Sequence, residues 1–286
     1  MRNSCYFIVA ILLKLWFVPL DATTECGKRP PLPRVIGGTD AFPHSWPWQA
    51  EIQEYRITKG ESGEWGHKCG ASLIHKEWIV TAAHCLSTNP NPRIYRIVLG
   101  VHNRSQMEST QQYFDLSQLY IHKRFQTYTG YGHDIALIRL SRPAVLNKAV
   151  GLVCLPGQNQ RIAVDKLCYL TGWGRIEPRG SKARTLQQVE IPIVSYENCS
   201  QGNSFFQPVD DGSMVCAGFG GTSKVSGCNG DSGGPLVCLE DGKFVLRGAV
   251  SWGIPDCPAG KTFSVFVRIS SFVNWIEDHV KNSNMY

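Results

Sequence analysis

Gly227-Cys228-Asn229-Gly230-Asp231-Ser232-Gly233-Gly234-Pro235 is the stretch on which the reading of this chain turns. Three glycines among the six residues from Asn229 to Gly234 admit backbone angles closed to other residues. Two amide N–H groups can therefore converge on one point beside the Ser232 hydroxyl, and such a point would hold an oxyanion. The loop then reads as a nucleophile turn, with Ser232 as a covalent catalyst. Taken alone it is equally compatible with a glycine-rich turn carrying a chance serine, so partners elsewhere in the chain decide.

Two other stretches supply them. Thr81-Ala82-Ala83-His84-Cys85 follows the apolar run Trp78-Ile79-Val80, and Gly132-His133-Asp134 opens the apolar run Ile135-Ala136-Leu137-Ile138. A serine hydroxyl is a weak nucleophile near neutral pH. It needs an imidazole to take its proton and a carboxylate to fix the imidazole's tautomer and stabilise its cation. His84, Asp134 and Ser232 offer these groups in that chain order. In these three contexts the chain resembles the trypsin and chymotrypsin family of serine endopeptidases, from Val35 to the C-terminus, and Trp65-Gly66-His67-Lys68-Cys69-Gly70 is similar to the pancreatic elastase branch. The resemblance implies a His84, Asp134, Ser232 triad, an oxyanion hole made by the amides of Gly230 and Ser232, and two antiparallel β-barrels with the active site between them. A catalytically dead homologue acting as a binding protein is the rival reading. Such chains lose a triad residue or an oxyanion glycine, and this one keeps them all.

Composition narrows the class. The chain has 286 residues, 43% hydrophobic and 18% charged, enough for one large core or two small ones. The segment 1–22 opens with Arg2, carries an apolar run from Tyr6 to Leu20 interrupted by Lys14, and ends on small Ala22, which reads as a secretory signal too short for a membrane span. Eleven cysteines become ten once Cys5 leaves with that signal, and an even set in a secreted chain reads as five disulfides. Sequence alone leaves their connectivity open; the resemblance implies Cys26–Cys154, Cys69–Cys85, Cys168–Cys238, Cys199–Cys216 and Cys228–Cys257. The formal charge of +6 falls to +3 beyond Arg34, with basic residues dispersed, which argues against a nucleic-acid surface. No CxxC pair or HExxH helix is present, and in the loop Val101 to Gln111 only Glu108 offers a carboxylate where calcium-binding members of the family carry several, so neither metal nor other cofactor is expected. Gly218 to Lys224 lacks the order of a phosphate loop and reads as a surface turn. Asn103-Arg104-Ser105 is a glycosylation acceptor by sequence; Asn198-Cys199-Ser200 is a weaker one.

The pattern along the chain is mainly β. Period-two runs such as Val189–Ile193 and Phe263–Ile269 recur through both halves. Only the C-terminus reads as a helix, with Ser271 as its cap and Phe272, Ile276 and Val280 on one face. A change of barrel is expected between Pro143 and Pro156, giving a first barrel of about 35–153 and a second of about 154–286.

Two features bear on regulation and selectivity. Arg34-Val35-Ile36-Gly37-Gly38 follows the extended stretch Pro30-Pro31-Leu32-Pro33. By resemblance, a trypsin-like protease would cut after Arg34, removing nothing because Cys26 tethers the propeptide 23–34, and the new ammonium of Val35 would pair with Asp231. The resemblance also sets Ser226 at the floor of the primary pocket, Gly253 and Ser264 on its walls, and Ser251-Trp252-Gly253 as the edge to which substrate adds as a strand. Without an acid at Ser226, a buried basic side chain lacks a counter-ion. This disfavours a trypsin-like regulatory protease and favours cleavage after Leu, Met, Phe or Tyr. The expected partners are protein or peptide substrates, the activating protease and protein inhibitors, for a secreted monomer that engages neither nucleic acid nor membrane.

Overall fold

The computed structural model describes residues 25–30, 39–57, 62–125, 131–175, 180–220, 230–253 and 262–282. Strands dominate: β1 Thr39–Asp40, β2 Gln49–Arg56, β3 Glu64–His75, β4 Trp78–Thr81, β5 Tyr95–Leu99, β6 Gln112–Ile121, β7 Ala136–Leu140, β8 Leu167–Gly172, β9 Gln187–Val194, β10 Met214–Ala217, β11 Pro235–Glu240, β12 Lys243–Trp252 and β13 Ser264–Arg268. Among the described residues two α-helices accompany them, α1 Tyr196–Asn203 and α2 Val273–Asn282. Strands β2-β3-β4-β7-β6-β5 close one antiparallel barrel. Strands β9-β10-β13-β12-β11-β8 form a second, closed by pairing of β8 with β9, and β1 adds to the outside of β9. The expected two-barrel architecture with a C-terminal helix is present.

Period-two alternation explains the strands that keep one wet face. In β6, Phe114 and Leu116 point inward while Tyr113, Asp115 and Ser117 are exposed. The run at Phe263–Ile269 behaves differently. Its strand is β13, and Ser264, Val265, Phe266 and Val267 are all buried. Val265 packs with Cys199 of α1, Met214 and Trp252, whereas Phe266 packs in the barrel with Leu170 and Ile193. Coverage of the outer face by α1 and its bridge to β10 is why alternation fails to mark a solvent side there.

The barrels share a core. Trp46, Trp48 and Phe244 meet with ring centroids 5.3–5.9 Å apart, and the Trp46 indole N–H donates to Gln188 Oε1 at 2.8 Å. Burying a side chain of this kind stabilises the fold by about 1.5–3 kcal/mol. Backbone hydrogen bonding passes from one barrel to the other between adjacent residues: Val153 N–H donates to Leu73 in β3, and Cys154 N–H to Phe244 in β12.

Among the described residues four bridges are formed, Cys26–Cys154, Cys69–Cys85, Cys168–Cys238 and Cys199–Cys216. Cys228 and Cys257 lie outside the described residues. The segment 25–30 is docked on the second barrel. Gly27 exchanges hydrogen bonds with Leu152 and Phe244, and the Arg29 guanidinium sits 4.4 Å from the Trp46 ring and 4.8 Å from the Phe244 ring.

The expected cap of the C-terminal helix is corrected. Ser271 belongs to a 3₁₀ turn, Ile269–Ser271, ahead of α2. The first-turn amide of Asn274 donates instead to the Gln158 side chain at 2.8 Å, and Gln158 Nε2 donates back to the Ser271 carbonyl. A residue 116 positions away satisfies the helix end. Phe272 and Ile276 are buried, as their spacing implies. Among the described residues no helix is long and apolar enough to cross a membrane.

Candidate active site

His84 sits in a single 3₁₀ turn, Ala83–Cys85, at the end of β4. The Cys69–Cys85 bridge ties the next residue to β3 and so fixes the height of the imidazole. Asp134 lies just before β7, placed by His133, which holds a left-handed φ of 59° and stacks on His122 at 5.2 Å. That strained residue turns the chain so that Asp134 meets His84.

The geometry of Asp134 decides the chemistry. Its carboxylate is buried, and its oxygens accept from the His84 backbone N–H at 2.8 Å, His84 Nδ1 at 2.7 Å and the Ser251 hydroxyl at 2.5 Å. An acceptor-only group on Nδ1 places the imidazole proton there, leaving Nε2 with its lone pair. Tyr131 stands edge-on to the ring at 5.7 Å. Cys69, His84 and Cys85 also lie close enough for a metal trio, but both sulfurs are consumed in the disulfide.

Ser232 comes from the second barrel and is delivered by the turn before β11. Gly70 N–H in β3 donates to the Ser232 carbonyl at 2.8 Å, and Gly233 N–H donates to Val250 in β12 at 2.8 Å. Gly233 has φ +74°, and a Cβ there would lie 2.1 Å from Thr81 Oγ1 and 2.5 Å from the Gly70 carbonyl oxygen. The missing side chain is what lets the nucleophile turn press against the end of β4, three residues before His84.

Asp231 beside it is buried in the second barrel. Its Oδ1 accepts from Gly174 N–H at 2.7 Å, and a Cβ on Gly172 would come within 2.1 Å of that oxygen. Arg34 and Val35 lie outside the described residues, as does Ser226. Gly253 is exposed just past β12, Ser264 is buried at the head of β13, and Trp252 is buried with Val265 and Met214. Asn103 is half-buried, its Oδ1 accepting from Ser105 N–H, while Glu108 spends its carboxylate on the His102 and Asn103 amides of the same loop.

A second histidine–carboxylate pair escaped sequence reasoning. His67 Nδ1 lies 2.8 Å from Glu51 Oε1, and His67 Nε2 lies 2.9 Å from the carbonyl oxygen of Gly230. Both ring nitrogens face oxygen acceptors. Glu51 is 1% exposed, and Gln53 and Arg104 also approach its carboxylate. Gly230 itself takes φ +113°. The pair therefore grips the peptide between Gly230 and Asp231. In the sequence Glu51 is an acid alternating with apolar residues on β2, a pattern shared with any strand that has one wet face.

The trypsin family model matches residues 35–276. The chain is 41% identical over 255 residues to human chymotrypsin-like elastase family member 3B, covering 87% of this chain and 90% of that one. It is 39% identical to chymotrypsin-like elastase family member 1 of Macaca fascicularis, covering 87% and 91%, and 38% identical to mouse chymotrypsin-C, covering 92% and 96%.

Proposed function

The chain belongs to the trypsin family and is a serine endopeptidase, and from that premise we propose that it is a secreted, chymotrypsin- or elastase-like enzyme made as a zymogen. Asp134 carries the reading of the catalytic residues: its carboxylate binds His84 through both Nδ1 and the backbone, which leaves Nε2 as the base. Ser232 Oγ attacks the scissile carbonyl as its proton passes to His84 Nε2. The amides of Gly230 and Ser232 hold the oxyanion. The imidazolium, stabilised by Asp134, returns the proton to the leaving amine, and water repeats the sequence on the acyl-enzyme.

Cleavage after Arg34 frees Val35 to pair with Asp231, whose carboxylate already has a cradle in Gly172 and Gly174. Removing one partner of such a buried pair costs about 3–5 kcal/mol, enough to decide whether the nucleophile turn holds its shape. The docked Cys26 segment keeps the propeptide attached afterward. Ser226, Gly253 and Ser264 outline a pocket without an acid, suited to Leu, Met, Phe or Tyr. The disulfides and the signal-like N-terminus support an extracellular site of action.

One experiment tests these readings together. The full chain, treated with limited trypsin, should give a new Val-Ile-Gly-Gly terminus and cut substrates ending in Leu or Phe far faster than an Arg counterpart. Ser232→Ala should lose kcat by a factor of order 10⁶. Retained activity in Ser232→Ala overturns the triad, and preference for Arg overturns the pocket.

A further inference from the structure

Ser232 lies between two strands of different barrels. The Gly233–Val250 hydrogen bond sets β12 on one side of it, where the acyl half of a substrate would add to Ser251-Trp252-Gly253, and the Gly70–Ser232 bond sets β3 on the other. With the acyl half placed there, the half of a substrate that departs after cleavage falls on the β3 side, next to Gly230.

That side carries an unexplained pair of cations. Arg175 and Lys182 face one another in an antiparallel β-bridge, so their side chains share a face. The stem of Lys182 lies along Gly230, 3.2 Å from where a Cβ on that glycine would be, while the residue stays exposed to solvent. Among the described residues neither Arg175 nor Lys182 has an ion-pair partner. Of the described acids, Glu54 is held by Arg56 and Lys68, and Glu51 by His67 and Arg104. Partial desolvation of the Lys182 side chain where it lies along Gly230, followed by the charges of Arg104, Arg56 and Arg175, lowers its pKa, with Asp231 acting in the opposite sense. Opposed like charges cost stability in a β-pair. An anion arriving from outside relieves that cost, and its attraction is strongest where the cleft walls exclude water.

We propose that Arg175 and Lys182 make the departing side of the cleft selective for acidic residues, binding a carboxylate carried within the first three residues after the cut bond. The proposal deepens the endopeptidase reading and rests on it.

Quenched fluorescent peptides test it, all sharing the acyl half that the activated full chain cuts best and differing only in Glu, Gln or Lys at the three departing positions. At low ionic strength kcat/KM should be about tenfold higher for Glu than for Gln, and lower again for Lys, the differences shrinking as salt rises. In Arg175→Gln/Lys182→Gln the Glu-to-Gln ratio should fall to about one; because a ratio is read within one enzyme, partial misfolding does not mimic the result. A ratio near one in the unmodified enzyme, or a tenfold ratio that survives the double substitution, overturns the proposal. A p-nitroanilide with no departing residues separates the two levels. If it is hydrolysed while the ratio is one, only the selectivity fails; if neither it nor any peptide is hydrolysed, the endopeptidase reading fails too.

Discussion

Glu51 shows how much a single residue's meaning depends on what covers it. Gln49 and Glu51 alternate with Ala50 and Ile52 along β2, which as sequence is an amphipathic strand with its polar face in water. In the fold that polar face meets the second barrel: Thr171 Oγ donates to Gln49, and His67 joins Glu51 to the Gly230 carbonyl. A buried carboxylate is tolerated only when paired, and the pairing here holds the Gly230–Asp231 peptide, which lies between the two amides proposed to form the oxyanion hole. Glu51→Gln should therefore lower kcat by about tenfold or more while leaving KM for a short substrate nearly unchanged, the pattern of a contact that matters in the transition state. Steady-state kinetics with a thermal melt as control checks it. A loss confined to melting temperature would make Glu51 structural only. The residues proposed as the triad were legible because their neighbours in sequence are themselves distinctive. Glu51 was not, since no local pattern tells an interface face from a wet one.

At the level of the element, the nucleophile turn depends on what it lacks. Gly233 combines a left-handed φ with backbone and side-chain atoms of β3 and β4 in the space a Cβ would take. Gly233→Ala should destabilise the protein by about 1–3 kcal/mol of strain and displace Ser232 from the end of β4. A lower denaturant midpoint at unchanged slope, together with loss of activity, is the expected result. A variant as stable and active as the parent would mean that the turn relaxes freely. The glycines were visible as a cluster in the sequence, but the obstacle Gly233 avoids lies in strands more than 150 residues away. The end of α2 repeats the lesson: Ser271 is a sound local candidate for the cap, yet the bond goes to Gln158 because the second barrel brings it there.

For the molecule as a whole, acid should be the weak side. His122 packs against His133, Phe272 and Trp275 beneath the Asp134 turn, and its pKa is lowered from 6.5 to about 4, first by burial and then by the charge of His133 and neighbouring basic groups. The unfolded chain therefore binds this proton more readily than the folded one. Its contribution is intact above about pH 6.5 and stability falls as pH drops from there toward about 4. His75, His102 and His133 are lowered in the same direction, burial leading in each. Melting temperature measured from pH 7 to pH 4 should decline, and His122→Phe, which keeps a ring in place, should decline less steeply; equal slopes would remove His122 from the account. The amino-acid sequence by itself determined the class of chemistry, since a nucleophile, a base and an acid each sit in a local context that names them, and it determined a mainly β chain, since alternation is a property of neighbours. Only the tertiary structure decided which polar faces are buried between the barrels, which amide satisfies which helix end, and that Arg175 and Lys182 stand together beside Gly230. These depend on contacts between segments far apart in the chain, and a one-dimensional pattern carries no record of what a residue will be packed against.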